Sequence, residues 1–203
     1  MKKLISISLI ALILINSEIS KAQTLQDAFT KSYTLEYAGK YSEAISILKG
    51  FYDEKSYEQN LRLGYLSYEA QQYTESENYY SKAIALMPYS IEAKLGYVLP
   101  LNAKGNMNKM VEVYNDILKI DPQNSKVNYR MGYISYTNKD YKSAYNYFEK
   151  VVNLYPFDYD GLIMFAWCNL QLSKTAEAKV LFNKVLLLSP SDASALEGLS
   201  KIK

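Results

Sequence analysis

A proline that recurs at a fixed interval is the feature that most constrains how this chain can fold. Four of the five prolines stand 34 residues apart, at Pro88, Pro122, Pro156 and Pro190. Alignment on these prolines matches aromatic residues eight positions earlier and apolar residues five positions earlier. They are Tyr80, Tyr114, Phe148 and Phe182, and Ala83, Ile117, Val151 and Val185. Such a period is typical of proteins that stack one supersecondary unit, because each unit buries its apolar face only against its neighbours.

Within each period the apolar residues follow a helical pattern. In residues 61–70 and again in residues 142–154, they recur at spacings of three and four, so they fall on one stripe of an α-helix. The proline follows the second of these segments, where it ends a helix. Ser125 and Ser191, shortly after two of the prolines, are predicted to cap the next helix. The unit is therefore predicted to be helix, turn, helix, turn.

The residues at these positions resemble the tetratricopeptide repeat family, whose pattern runs through leucine-glycine, tyrosine, alanine, phenylalanine and a closing proline. Three periods carry the pattern. They do so with Leu63-Gly64, Tyr80, Ala83 and Pro88, with Met131-Gly132, Ala144, Phe148, Val151 and Pro156, and with Ala178, Phe182 and Pro190. The resemblance implies an all-α fold, a right-handed α-solenoid of five helical hairpins with a short C-terminal capping helix.

The sequence departs from the family pattern at several positions. Asn60 and Asn128 stand where the family has tryptophan. In the third repeat Leu95-Gly96 come two residues early, and Pro100 falls inside the first helix. A proline there removes a hydrogen bond and kinks or breaks a helix. This predicts a local insertion of two residues that disturbs the superhelix at its middle.

The first 22 residues are predicted to be a secretory signal peptide. Lys2 and Lys3 precede an apolar run over residues 4–15, and Ser20 and Ala22 place small side chains at the two positions that a signal peptidase reads. The run is too short to cross a bilayer, although a retained anchor is the alternative. The predicted domains are therefore the signal peptide over 1–22 and a repeat array over 23–203. The array divides into repeats 25–56, 57–90, 91–124, 125–158 and 159–192 and a cap over 193–203.

The signal peptide predicts an exported bacterial protein, periplasmic or associated with the cell envelope, or secreted. Without residues 1–22 the chain has 20 basic and 20 acidic residues, because three lysines and one glutamate are removed. This balance leaves no electrostatic footprint for nucleic acid, so no nucleic-acid partner is expected. No transmembrane span is expected once the signal is cleaved.

The composition argues against catalysis. The chain has no histidine, the commonest general base and metal ligand. Cys168 is the only cysteine, so it cannot form an internal disulfide and is expected to be buried and inert. The sequence also lacks a glycine-rich phosphate loop. We therefore predict a protein that is not an enzyme and has no catalytic residues, cofactor or metal. An envelope hydrolase that uses two carboxylates is a remote alternative.

A short phrase recurs in the first helices and predicts the binding surface. It reads Arg62-Leu63-Gly64-Tyr65, Lys94-Leu95-Gly96-Tyr97 and Arg130-Met131-Gly132-Tyr133. The resemblance implies that first helices line the concave side of the solenoid. These residues are therefore predicted to form a groove with a basic row beside an aromatic row. The predicted partner-binding residues are Arg62, Lys94, Arg130, Tyr33, Tyr65, Tyr68, Tyr97, Tyr133, Tyr136 and Trp167.

The groove predicts a non-enzymatic interaction module or adaptor of the cell envelope. A protein or peptide partner would place carboxylates on the basic row and apolar side chains on the tyrosines, so an acidic or carboxylate-bearing partner is expected. Two alternatives remain open. In one, the tyrosines pack against the next repeat and an arginine pairs with Glu58 or Glu92. In the other, the chain is a structural subunit or self-associating scaffold of an envelope complex.

Overall fold

The structure is a computed structural model that describes residues 24–202. This part of the chain contains eleven α-helices and no β-strand. The predicted all-α stack of helical hairpins is confirmed. The predicted signal peptide over residues 1–22 lies outside the described residues. Within 24–202, no helix is both long enough and apolar enough to cross a membrane.

Along the chain the helices follow one another as five successive helix–turn–helix segments, here called hairpins, and a single helix follows the last of them. They are α1 (24–37), α2 (Tyr41–Lys49), α3 (Tyr57–Glu69), α4 (Tyr73–Leu86), α5 (Ile91–Ala103), α6 (Met107–Ile120), α7 (Ser125–Thr137), α8 (Tyr141–Leu154), α9 (Tyr159–Gln171), α10 (Thr175–Leu188) and α11 (Ala193–Ser200). The chain forms two compact units that divide between Met110 and Val111. In unit 1, α3 packs against α2, α4 and α5; in unit 2, α9 packs against α8, α10 and α11.

The helices that open a hairpin, and the final helix, begin at side-chain caps that recur with the repeat period. The caps are Ser56, Ser90, Asn124, Asp158 and Asp192. In each, the side chain accepts a hydrogen bond from the backbone N–H three residues later. These bonds satisfy N–H groups that the first turn of a helix leaves without a partner. The prediction that Ser125 and Ser191 act as caps is wrong. Asn124, which precedes Ser125, caps α7, and Asp192, which follows Ser191, caps α11.

Asparagines at the tryptophan position of the family pattern fasten the turn before a first helix. Asn60 is buried, and its Nδ2 donates to the carbonyls of Glu54 and Ser56 at 2.9 and 2.7 Å. Asn128 is buried at the equivalent position, and its Nδ2 donates to two carbonyls of the preceding turn at 3.1 and 2.9 Å. Both amides therefore stabilise turns and are not available to a partner.

Aromatic residues of the second helices fill the core, and glycines of the first helices make room for them. In unit 1 the ring of the buried Tyr80 lies between α3 and α5. A Cβ added to Gly64 would lie 3.0 Å from this ring, and one added to Gly96 would lie 2.2 Å from its Cε1 atom. In unit 2 Phe148 is fully buried, and a Cβ added to Gly132 would lie 2.8 Å from its ring. Such close approach requires a residue without a side chain.

The third hairpin begins in register with the others, so the predicted insertion of two residues is wrong. α5 begins 34 residues after α3 and, like α3, has 13 residues. The helix continues through Pro100, and the N–H of Lys104 donates to the Pro100 carbonyl at 3.0 Å. The difference between α5 and α3 is the position of a glycine within the helix. Gly96 stands two residues earlier than Gly64 does in α3, and from there it accepts the Tyr80 ring of the preceding hairpin.

Candidate partner-binding site

The first helices of unit 1 line a pocket of about 510 Å³, here called the unit-1 pocket. Its walls include the aromatic side chains Tyr33 and Tyr65, the guanidinium of Arg62, and the carboxylates Glu58 and Glu92. The structure thus brings together three of the predicted binding residues, from α1 and α3, in one cavity. The two glutamates add negative charge beside them.

Arg62 is engaged inside the protein. Its side chain is only 8% exposed, and its Nη1 atom lies 2.5 Å from Glu36 Oε2. Its Nε donates to Ser32 Oγ at 3.2 Å, and the guanidinium carbon lies 3.8 Å from the centre of the Tyr33 ring. The arginine therefore pairs with a glutamate of the preceding hairpin, which is Glu36 and neither of the two glutamates considered from the sequence.

Two tyrosines of the unit-1 pocket are held in their protonated form. Burial, followed by the negative charges of Glu69 and Glu36, raises the pKa of Tyr65 to about 12. The pKa of Tyr57 is also raised, first by burial, and the nearby carboxylate of Glu92 acts in the same direction. At neutral pH both hydroxyls therefore remain hydrogen-bond donors and carry no charge.

Lys94 and Tyr97 do not align with the residues of the unit-1 pocket. In α5 the position of Arg62 is held by Gly96, and Lys94 stands two residues earlier. Tyr97 is displaced in the same way from the position of Tyr65. Successive residues of an α-helix are about 100° apart, so a shift of two residues moves a side chain about 200° around the axis. In the third hairpin the same residue types therefore recur in sequence but do not occupy the equivalent positions of the helix.

The first helix of the fourth hairpin borders a second cavity of about 380 Å³, here called the unit-2 pocket. It is lined by Lys126, Tyr129 and Arg130 from α7 and by Asp158 and Asp160 at the start of α9. Arg130 is exposed and forms no ion pair with any residue of the described chain. Burial raises the pKa of the Tyr129 hydroxyl, which the charge of Asp160 also raises and that of Arg130 lowers. Arg130 and Tyr129 therefore line the same pocket, and their charges interact.

The other predicted aromatic residues differ in how far solvent reaches them. Tyr133, on the same helix as Arg130, is 47% exposed. Tyr68 is half-buried, with its ring centre 6.0 Å from that of Tyr73. Tyr136 is also half-buried, and its ring packs edge-on against Tyr141 at 5.3 Å. Each of these half-buried rings connects the two helices of its own hairpin, whereas Tyr133, like Tyr33 of the unit-1 pocket, presents an exposed face.

Trp167 is held by the end of the chain. Its Nε1 donates to Ser194 Oγ at 2.8 Å, and its ring packs edge-on against Phe182 at 5.3 Å. The Nζ atom of Lys201 lies 5.1 Å from the ring centre. This tryptophan therefore anchors α11 on the last hairpin, a contact that the capping helix provides.

Tyr57 is a residue of the site that sequence reasoning did not identify. Its hydroxyl lies 2.7 Å from Ser90 Oγ and donates to Glu92 Oε2 at 3.2 Å. Tyr159 makes the equivalent contact and donates to Asp192 Oδ2 at 2.6 Å. In both cases a tyrosine at the start of one first helix contacts the cap of the next, 33 residues away. A tyrosine paired with serine or aspartate at that spacing is the signal that could have revealed the contact.

The described residues contain little reactive chemistry. Cys168 is buried, as predicted, and its Sγ donates to the Tyr141 carbonyl at 3.0 Å. Burial raises the pKa of its thiol to about 11, so the thiolate is scarce at neutral pH. Among the described residues, no group of three acidic, histidine or cysteine side chains is placed to hold a metal ion. The pockets therefore offer recognition by charge, hydrogen bonds and aromatic surface.

Comparison with known proteins agrees with this geometry. The tetratricopeptide repeat family matches residues 125–158. A solved tetratricopeptide repeat protein from Parabacteroides merdae has a TM-score of 0.73 and 19% identity, over 89% of this chain and 72% of its own. A MamA fragment from Desulfovibrio magneticus has a TM-score of 0.68 and 17% identity, over 84% of this chain and 97% of its own. At these identities the similarity concerns the fold.

No curated protein matches the sequence at a significant level. The family model matches the fourth repeat, and the solved structures share the fold of stacked hairpins. Together they show that the chain has the fold of tetratricopeptide-repeat proteins and that its fourth repeat matches the family.

Proposed function

We propose that this protein is a non-enzymatic adaptor of the bacterial cell envelope that binds a peptide or protein partner on its first helices. The hairpin fold supports the proposal, because stacked repeats present long surfaces for recognition. The signal-like sequence of residues 1–22 supports the location. The absence of histidine from the sequence supports a role in binding rather than in catalysis.

The observation that carries the proposal is the difference between two equivalent arginines. Arg62 and Arg130 occupy the same position of α3 and α7, 68 residues apart. Arg62 is buried and ion-paired, so its charge serves the fold. Arg130 is exposed, beside Tyr129 and on the same helix as the exposed Tyr133. An exposed cation without an ion pair and the exposed face of Tyr133 are what a partner with a carboxylate and an apolar side chain would bind.

The acidic residues of the unit-2 pocket limit where a carboxylate can bind. Asp158 accepts a hydrogen bond from the N–H of Gly161 at 2.8 Å, as the cap of α9. Its charge is therefore directed at the helix N-terminus, which it stabilises. Lys126 and Arg130 are the two cations of the pocket, both on α7. We propose that the carboxylate of the partner meets Arg130 on the α7 side, away from the start of α9.

Reversal of the charge at Arg130 is expected to release the partner. Because a carboxylate would then face a carboxylate, Arg130→Glu should lower the amount of partner captured from an envelope extract by about tenfold or more. The amount is measured by quantitative mass spectrometry of what the immobilised protein retains. Lys142→Glu is the matched control, because it makes the same charge change on the exposed surface of α8. Equal capture by the two variants would contradict the proposal.

A self-associating scaffold is the second candidate, and exposed apolar side chains in unit 2 favour it. Phe157, in the turn between α8 and α9, is 55% exposed, and Leu187, near the end of α10, is 74% exposed. Large apolar side chains that solvent reaches are common at sites of association.

Self-association would be detected by sedimentation. If these side chains join copies of the chain, the protein should dimerise at about 50 μM, a concentration at which weak dimers are populated. Phe157→Ser and Leu187→Ser should shift it toward monomer, whereas Phe51→Ser, an exposed apolar residue of unit 1, should not. A wild-type monomer at this concentration would argue against the scaffold.

A further inference from the structure

The unit-1 pocket contains two carboxylates that form no ion pair with a basic side chain of the described chain. Its only cation is Arg62, which already forms an ion pair with Glu36. Glu58 and Glu92 both line the pocket and are exposed. Within residues 24–202, neither forms an ion pair with a lysine or an arginine. The charge of the pocket is therefore negative, opposite to the charge that a basic row would provide.

Hydroxyl groups hold both carboxylates in place without neutralising them. Ser56 Oγ donates to Glu58 Oε2 at 3.0 Å, and the Tyr57 hydroxyl donates to Glu92 Oε2 at 3.2 Å. Ser90, the cap of α5, lies 2.7 Å from the same Tyr57 hydroxyl and fixes its position. A neutral donor orders a carboxylate but leaves its charge for another partner. The two acids are thus pre-arranged at the starts of α3 and α5.

Aromatic faces complete the pocket beside these acids. Tyr33, Tyr57 and Tyr65 all contribute to its walls. Two of these rings already face a guanidinium inside the protein, because the Arg62 carbon lies 3.8 Å from the Tyr33 centre and 5.9 Å from the Tyr65 centre. Aromatic faces attract cations through the ring quadrupole, and carboxylates add to that attraction. The cavity of about 510 Å³ has room for a long side chain.

We propose that the unit-1 pocket binds a basic side chain, lysine or arginine, of a protein partner. The cationic group lies between Glu58 and Glu92, and the aliphatic part of the side chain lies along the rings of Tyr57 and Tyr65. This inference rests on the proposed function, because it assigns a chemistry to one part of the binding face. It replaces the acidic partner expected from the sequence at this place with a basic one.

The proposal is tested with the full-length protein and short blocked peptides as probes. Isotope-labelled protein is titrated with acetyl-Ala-Arg-Ala-amide, and amide chemical shifts are followed by NMR. The expected shifts are confined to the starts of α3 and α5, with a Kd in the millimolar range that rises about threefold or more when salt is raised to about 0.5 M. Acetyl-Ala-norleucine-Ala-amide, which keeps the apolar stem and lacks the charge, should bind at least about fivefold more weakly.

Variants separate the two acids from the general charge of the protein. The double variant Glu58→Gln, Glu92→Gln should raise the Kd of the arginine peptide by about tenfold. The control Glu43→Gln, Glu75→Gln makes the same net change on exposed residues of α2 and α4 and should leave the Kd within about twofold. Unfolding of each variant is measured by circular dichroism to show that it is folded.

Two results would overturn the proposal: equal binding of the norleucine peptide, or an unchanged Kd in the Glu58→Gln, Glu92→Gln variant. The peptide titration does not depend on Arg130 or on any extract. A failure here therefore leaves the capture experiment on Arg130 unaffected, and failure of that experiment leaves the titration interpretable.

Discussion

Replacement of Arg62 by alanine is expected to lower the free energy of unfolding by about 2–4 kcal/mol. The substitution removes the ion pair with Glu36 and leaves that carboxylate, which is only 21% exposed, without its cation. It also removes the stacking of the guanidinium on the Tyr33 ring. This loss of unfolding free energy is smaller than for a fully buried ion pair, because water still reaches one side of Glu36. Urea unfolding monitored by circular dichroism measures the change.

Arg130→Ala is the matched control, because the chain places the same residue at the same helical position in two environments. An exposed arginine without an ion pair is expected to change the free energy of unfolding by less than about 0.5 kcal/mol. The double variant Glu36→Gln, Arg62→Met should recover part of the loss, because it removes both charges and keeps the volume. Similar losses for Arg62→Ala and Arg130→Ala would show that the Glu36 pair does not stabilise the fold.

The helical hairpins can be predicted from the sequence because their signals are local and repeated. Pro156 follows the second helix of its hairpin, and prolines recur at this position in other repeats. An aromatic residue likewise recurs at the position of Phe148, so one period predicts where the helices start and stop. The glycine requirement at Gly132 can be predicted for the same reason. Each of these residues acts on its own hairpin or on the next one, and the repeat supplies several copies of the same evidence.

The binding residues are harder to predict because a letter pattern does not report a helical position. The phrase containing Lys94 matches those containing Arg62 and Arg130, yet it is shifted by two residues within α5. The ring of Tyr80 explains this displacement of the sequence pattern, because the ring lies so close to residue 96 that only glycine fits there. The displacement of the phrase therefore follows from packing between hairpins, which is not visible within one repeat.

Burial of a charge is equally hard to predict from a repeat pattern. Arg62 and Arg130 have the same neighbours in sequence, a tyrosine three residues later and a glycine two residues later. Their environments differ because Glu36 and Ser32 of α1 receive the guanidinium of Arg62. The first hairpin, which supplies these two residues, lacks the recurring proline, so the repeat pattern does not predict its contacts with α3. Such contacts have to be seen in three dimensions.

The contact between Phe148 and Gly132 is expected to produce the largest losses of stability. Phe148→Ala removes a fully buried ring and should cost about 3–5 kcal/mol, because a cavity remains where the ring was. Gly132→Ala alone should also destabilise, by about 1–2 kcal/mol, because its Cβ would lie 2.8–2.9 Å from three atoms of that ring. This loss occurs although alanine is the better helix former by about 1 kcal/mol.

The effect of Gly132→Ala on the free energy of unfolding should change sign when the Phe148 ring is absent. In the Phe148→Ala background, Gly132→Ala no longer meets an obstacle, so helix propensity prevails and the protein gains about 1 kcal/mol. The double-mutant cycle, measured by urea unfolding, should therefore give a coupling free energy of about 2–3 kcal/mol. Gly64→Ala, whose Cβ would lie 3.0 Å from the Tyr80 ring, is the matched comparison and should cost less than Gly132→Ala. Additive effects of Gly132→Ala and Phe148→Ala would mean that the glycine serves the backbone, and that the aromatic rings do not set the spacing of the hairpins.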